Sequence, residues 1–415
     1  MTPTDPPPLG PALPLSIRRS TALLRNAGHG ANDLYWFILP PVLPLILQEF
    51  GLRYAAAGGM IAVYLSMIAV ASMLTGRLSD RMHRGRLIGF GFLLASLGVF
   101  ASSLMPSLPL VIGLLMVAGI GVSTYHPAAY AAIHDAGHGK GRTYGAFEAS
   151  GSFAVIVMLV LQGLLIARIG WRGVIVVGAI PGALMGALLL AAPRLSFGDR
   201  QAPHLAPMPA GTTAETTAGT TAPVASVFLS GVFVVSVMLR ILGVNALQNF
   251  APTYLVRAVQ MNPGIAAFAM GFTFAGGMCG ALVMGRAADR HGPFPVYVLA
   301  SGLLAPLLPL LSLRMPAAVY PALLFLVGFC GSACFPAQSM ILAELSGSRG
   351  KGSVFGLLMG ATALTAAASP LLFGLVADGS GLVTAVRACG IPVAAGWIVT
   401  FVVWRKLSAA ASSES

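Results

Sequence analysis

Charge is what this 415-residue chain has least of: Asp, Glu, Lys and Arg together make up 9% of it, with 12 acidic residues against 24 Lys and Arg. A soluble domain normally carries charge on about a quarter of its positions, so an aqueous globular fold is excluded. Cysteine is also scarce. Cys279, Cys330, Cys334 and Cys389 all fall inside apolar runs, which reads as small packing residues rather than disulfides or thiolate metal ligands. There is no G-x-x-x-x-G-K-[ST] phosphate loop, no H-E-x-x-H and no paired nucleophile and base. ATP is therefore not the evident energy source, an enzyme is not indicated, and no cofactor is needed. The opening "MTPTDPPPLGPALPLSIRRS" lacks an apolar core and a small-residue processing site, so no cleavable signal is expected. The formal charge of +12 lies between apolar runs without an aromatic-laced patch, which argues against nucleic acid as a partner.

What the chain does have is hydrocarbon, with 57% hydrophobic residues. Each bilayer crossing needs about 20 mainly apolar residues, and backbone polar groups in lipid must be satisfied within the segment, so the runs are helices. Twelve are expected, near 21–48, 56–80, 86–105, 108–133, 142–167, 173–192, 226–257, 264–288, 293–313, 317–343, 352–378 and 382–404. A Pro/Thr/Ala/Gly tract, too polar to fold alone, separates the sixth from the seventh. The reading is an all-α membrane protein: a disordered N-terminus (1–20), a six-helix bundle (21–193), a flexible linker (194–225), a second six-helix bundle (226–405) and a short tail (406–415).

Orientation follows from the basic residues. With the first residue in the cytoplasm, the outer loops collect Arg53, Arg168, Arg172, Arg257, Arg314 and Arg387, Arg240 lies inside the seventh span, and the other 17 Lys and Arg are cytoplasmic. Both termini are thus expected inside. The halves also repeat. "GRLSDRMHRGR" (76–86) is answered by "GRAADRHGP" (285–293), and "YHPAA" (125–129) by "CFPAQ" (334–338), both at an offset of 209. One duplicated six-helix unit gives two bundles facing each other across a pseudo-two-fold axis, as expected of a rocking transporter.

The first repeat motif, Gly76, Asp80, Arg81, Arg84, Gly85 and Arg86, resembles the loop signature of the major facilitator superfamily. Its counterpart contributes Gly285, Asp289 and Arg290. The carboxylate can pair with arginine or cap a helix N-terminus, forming a latch that holds the outward-open state and breaks when the bundles rock.

Polar residues inside the spans are the candidate site. Arg25, His29 and Asp33 are spaced four apart and form one helical stripe, with Asn32 and Tyr35 nearby. The fourth span supplies Tyr125 and His126, followed by Pro127, which frees the carbonyl of Val122 or Ser123. The fifth supplies Glu148. Charge at such depth costs at least about 2.5 kcal/mol per group and normally faces an internal cavity. Two mechanisms fit His29, Asp33, His126 and Glu148. In one, Asp33 or Glu148 carries a coupling proton and the histidines relay it; in the other, the four ligate a divalent transition metal. In the second half, Arg240 is expected to be a counter-ion to Asp33 or Glu148, or a clamp for an anionic substrate. Asn245, Gln248 and Asn249 follow it one to two turns on and join Asn32, Tyr35 and Tyr125 as candidate substrate contacts.

"HGANDLY", "GRLSDR", "GIGVSTYHPAA" and "GRTYGAFEASGSF" together resemble the fosmidomycin-resistance branch of major facilitator exporters, over most of the first 165 residues. The resemblance implies a bacterial inner-membrane proton antiporter that exports small compounds, with His29, Asn32, Asp33 and His126 on the matching positions. The chain departs from that pattern at Ala128, where an acid is common, and at Glu148, where glutamine is usual. The expectation is a monomeric, proton-coupled exporter of a small organic compound, with a divalent-metal transporter as the alternative and a non-transporting receptor or scaffold as a third class.

Overall fold

The computed structural model describes residues 15–79, 81–135, 140–192, 224–345 and 351–413. Asp80, most of the linker and the chain ends lie outside these residues, and with them the readings made on those segments. Fourteen helices account for the described chain. In the first half they are α1 (Leu15–Trp36), α2 (Leu43–Glu49), α3 (Tyr54–Ser79), α4 (Arg84–Leu104), α5 (Leu108–Val122), α6 (Tyr125–Asp135) and α7 (Lys140–Ala191). In the second they are α8 (Val224–Arg257), α9 (Pro263–His291), α10 (Pro293–Leu310), α11 (Tyr320–Leu345), α12 (Lys351–Ser380), α13 (Leu382–Ala388) and α14 (Gly390–Ser413).

Ten of the helical segments are long and apolar enough to cross a membrane, and two departures raise that to twelve crossings. First, α7 contains 52 residues, about 78 Å if straight, against a hydrocarbon layer of about 30 Å. Gly170, at φ 64° and ψ −177°, breaks it into the fifth and sixth crossings, a backbone conformation that only glycine adopts without strain. Second, the first crossing is divided between α1, which carries the polar stripe, and α2; Pro40 and Pro41 interrupt the helix between them, and Pro44 sits in the first turn of α2. The single helix expected over 21–48 is therefore two. The fourth crossing also steps, at Ser123–Thr124 between α5 and α6. Pro127 cannot donate to the Ser123 carbonyl, and the Thr75 hydroxyl of α3 donates to it instead at 3.0 Å. At the other end of the chain α14 continues as helix to Ser413, across most of the segment expected to be a tail.

The internal repeat is visible in the packing. Gly76 lies against Pro127, and Gly285 lies against Pro336 in the same manner. In the first half, α1 and α4 pack on α7; in the second, α9 and α10 pack on α11 while α8 packs on α14.

Between the halves, α3 packs on α12, α7 on α9 and α2 on α8. Among the described residues, the bonds and close approaches that cross this seam occupy the face opposite the chain termini and the middle of the layer. Gly58 approaches the Pro370 carbonyl, Gly374 the Tyr54 carbonyl, and Gly163 the Gly264 carbonyl, each too closely for an added Cβ. Phe37 and Phe274 meet edge to face at 4.5 Å in mid-layer. At the far face Asp378, at the end of α12, accepts the Tyr54 and Ala55 amides at 2.9 and 3.0 Å. These are the first N–H groups of α3, which have no partner inside their own helix. Arg53 adds a 3.5 Å contact to the same carboxylate. Toward the face of the termini no such bond joins the described parts of α6 and α11, and Arg81, Arg86, Asp289 and Arg290 of the repeat motif are exposed. Among the described residues, the halves grip at the far face and in mid-layer.

A second clasp holds the far face of the first half. Glu49 accepts the Trp171 indole N–H at 2.5 Å and Arg172 Nη2 at 2.6 Å, while Arg172 Nη1 donates to the Ser103 and Met105 carbonyls. Burial pushes the Glu49 carboxyl upward, but the Arg172 and Trp171 bonds outweigh it and hold the group below its usual range.

Two outcomes are expected. Asp378→Asn removes the charge at the α3 N-terminus, an interaction worth about 0.3–1 kcal/mol, and should raise the population parted at the far face about two- to fivefold. Distances between spin labels at the far ends of α3 and α12 check this. Because the Glu49 carboxyl is lowered on folding, its contribution is complete above the ordinary glutamate range and is lost as pH falls through the lowered value. Glu49→Gln should therefore reduce the melting temperature at pH 7 and cost less and less as the medium is acidified.

Candidate functional site

The site is built on the last two turns of α1. His29 and Asp33, one turn apart, place His29 Nε2 3.4 Å from Asp33 Oδ2. From α6, His126 Nε2 approaches the other oxygen, Oδ1, also at 3.4 Å. One carboxylate is thus shared by two imidazoles from two helices. His29 is fixed tightly. Its ring stacks on Phe147 of α7 with centroids 3.8 Å apart, and its Nδ1 lies 2.6 Å from the Phe147 carbonyl oxygen. Tyr125 flanks the same ring, and its hydroxyl donates to the Arg25 carbonyl.

Burial separates the members. His29 is sealed in, whereas Asp33 is 20% and His126 26% exposed. Asp33 lies one turn from Phe37, which meets Phe274 of the second half. Trp36 stands 6.1 Å from His126, ring to ring. One glycine makes the arrangement fit. A Cβ on Gly151 of α7 would stand 2.2 Å from Asp33 Oδ2 and 2.7 Å from His29 Cε1. Neither Phe147 nor Gly151 was among the sequence candidates, although both lie in the quoted "YGAFEASGSF".

Three of the four expected ionisable groups come together; Glu148 does not. Successive helical residues are about 100° apart, so with Phe147 turned onto His29, Glu148 points elsewhere. It is exposed and accepts the Tyr130 hydroxyl at 2.6 Å. Tyr35 and Tyr125 are buried within the first half rather than at the seam. Tyr35 bonds Ser96 at 2.8 Å and the Ala179 carbonyl at 3.3 Å. Asn32 is buried too, and its amide has no hydrogen-bond partner among the described residues.

Arg240 turns inward. It is 2% exposed, donates to Gln338 Oε1 at 2.9 Å and the Gly331 carbonyl at 3.3 Å, and lies over Phe335 at 5.1 Å. Its bonds stay in the second half, on α11, and Asp33 takes its partners from its own half. Phe335 is the repeat counterpart of His126. Both halves therefore set a polar residue of their first long helix against the proline-kinked segment of their fourth crossing, with imidazole–carboxylate chemistry in one and guanidinium–amide chemistry in the other. Asn249 donates to Asn245 Oδ1 at 2.8 Å, which also accepts Ser369 of α12 at 3.3 Å, while Gln248 is half-buried.

Comparison with known proteins agrees with this architecture. Over 89 residues, 21% of each chain, it is 34% identical to the inner membrane transport protein YnfM of Escherichia coli (strain K12). Over 153 residues, 36% of this chain and 26% of the other, it is 30% identical to the uncharacterized MFS-type transporter Rv1250 of Mycobacterium tuberculosis (strain ATCC 25618 / H37Rv). The matched region thus spans about a fifth and a quarter of these relatives. Among solved structures, a bacterial homologue of the human lysosomal transporter Spinster, inward-facing and unoccupied, superposes with a TM-score of 0.75 at 16% identity, covering 94% of this chain and 98% of that one. A variant of the nucleoside transporter NupG gives 0.75 at 12% identity, covering 92% and 99%. The sequence profile of the Major Facilitator Superfamily matches residues 27–257 and 232–415. With both halves of the chain matched, and a two-bundle fold shared with solved transporters, the chain belongs to the Major Facilitator Superfamily.

Proposed function

We propose that this transporter exports a small organic compound in exchange for protons, working in the bacterial cytoplasmic membrane with both termini inside, and that the His29–Asp33–His126 site carries the coupling proton. One observation carries the reading. The Phe147 carbonyl can only accept a hydrogen bond, so His29 Nδ1 must be the protonated ring nitrogen. In a neutral His29 the remaining nitrogen, Nε2, then presents a lone pair to Asp33 Oδ2 at 3.4 Å. Two acceptors facing each other out of water repel, and a proton on either one turns the contact into an attraction. The pair is a seat for one proton, held by His29 from the sealed side and reached through the partly exposed Asp33.

The setting supports exchange of that proton. Phe37 and Phe274 meet across the seam one turn beyond Asp33, and the Asp33 carboxylate is partly exposed. Rocking the halves would reverse which face reaches the carboxylate, the requirement for coupling a proton to alternating access. The aromatic surroundings, Trp36, Phe37, Tyr130 and Phe274, favour an organic substrate with an apolar or aromatic face.

In proteoliposomes under a pH gradient, Asp33→Asn should cut proton-driven flux at least about tenfold while substrate exchange without a gradient persists. Full coupling in this variant would remove Asp33 as the proton site, and absence of flux in the native protein with a broad panel of compounds would favour the receptor class. Gly151→Ala forces a methyl against Asp33 Oδ2 and His29. It should leave the protein folded at a cost of about 1–3 kcal/mol and uncouple it nearly as far as Asp33→Asn. Undiminished coupling would show that the spacing of the three side chains is not what binds the proton.

A further inference from the structure

We propose that His29, Asp33 and His126 also form a binding site for one divalent first-row transition metal of the zinc class, with three protein ligands and one open position. Binding of the ion does not depend on whether protons drive transport.

The donor set points to this chemistry. Two imidazoles and a carboxylate suit Zn²⁺, Fe²⁺, Co²⁺ and Ni²⁺, whereas Mg²⁺ and Ca²⁺ take oxygen ligands almost exclusively. Of the described residues, these three bring one ligand atom each to within 4.8 Å of one another. His29 Nε2 stands 3.4 Å from Asp33 Oδ2 and His126 Nε2 3.4 Å from Oδ1; neighbouring ligands of a tetrahedral ion with bonds of about 2.1 Å are about 3.4 Å apart, so binding needs the carboxylate to turn one oxygen toward both imidazoles. The second requirement is orientation. Metal-bound histidines typically donate their other ring N–H to a carbonyl or carboxylate, which directs the free nitrogen at the ion. His29 has this arrangement, with Nδ1 on the Phe147 carbonyl and its ring clamped by stacking. Glu148, bonded to Tyr130 and exposed, is not a fourth ligand. The open position falls to water or to a donor atom of a substrate, and Asp33 and His126 supply the exposed side of the site.

An ion held there ties α1 to α6 within one half and leaves the seam free, so the halves can still rock. It displaces the proton from between His29 and Asp33. On the transport reading above, zinc is then an inhibitor of proton-driven flux rather than a brake on the conformational change.

The test uses the purified full-length chain, free of any affinity tag, titrated with Co²⁺ in detergent without a proton gradient. The expected result is one Co²⁺ per chain with the visible absorption of a four-coordinate ion, displaced by Zn²⁺ and unaffected by Mg²⁺. His126→Ala and Asp33→Asn should each weaken binding at least about tenfold, and His83→Ala should not. His126→Cys, which restores a ligand, should recover binding with an added thiolate-to-metal band; it separates loss of a ligand from loss of fold, as does the melting temperature of each variant without metal. Equal Co²⁺ binding by the native chain and by the His126→Ala/Asp33→Asn double variant overturns the proposal, as does a six-coordinate spectrum alone. A failed titration leaves the flux results on Asp33→Asn standing, and uncoupled flux leaves the titration standing.

Discussion

A carboxylate set into a hydrocarbon layer must be answered by hydrogen-bonding or cationic groups of its own surroundings, because it meets far less water there than at a protein surface. Asp33 meets that condition with two imidazoles, and much of the first half is arranged around the result. His29 needs Phe147 to hold its ring, α7 needs Gly151 to pass beside the pair, and α6 needs the step at Ser123–Thr124 to deliver His126. Each of these is a local irregularity that a purely apolar bundle would not require. The second half, without a buried acid at the matching depth, answers a buried guanidinium with an amide, a carbonyl and an aromatic face instead.

The seam between the halves follows a different logic. Among the described residues it is close and built on glycines, with carbonyl groups of one half lying where side chains of the other would be. Close backbone approach gives dispersion contact without committing charge, so such a surface can part without leaving an ion unsatisfied in lipid. Among the described residues, charge enters at the far rim, where Asp378 caps α3.

Much of this was legible in the sequence. Twelve crossings follow from hydrocarbon length, the duplicated halves from a repeat offset of 209, and the His29–Asp33 stripe from one helical turn of spacing. The step at Pro127 follows from its missing N–H, although Thr75 as the group that fills the gap does not. Angular facts were out of reach. Spacing along a chain places Glu148 at the depth of Asp33 but does not say which way α7 is rotated, and Phe147 takes the inward position. Likewise a mid-membrane arginine reads as a counter-ion for the facing half until its neighbours Gln338 and Phe335 are seen beside it. Gly151 was unreadable for a simpler reason: its contribution is the absence of an atom, which gains meaning only against the groups that occupy the vacated space.

The bond from Thr75 to the Ser123 carbonyl joins the imidazole side of the site to a rigid rod. From Thr75 to Tyr54, where Asp378 takes hold, α3 runs 21 residues without a break, about 32 Å. Any shift of the α5–α6 step must therefore either stretch that bond or swing the rod, and over such a length each ångström at one end is a rotation of roughly 2°. The grip on the rod's other end is a pair of amide hydrogen bonds, which lose strength steeply with misalignment. Events at His126 and the integrity of the distant rim are in this sense two readings of one lever's angle.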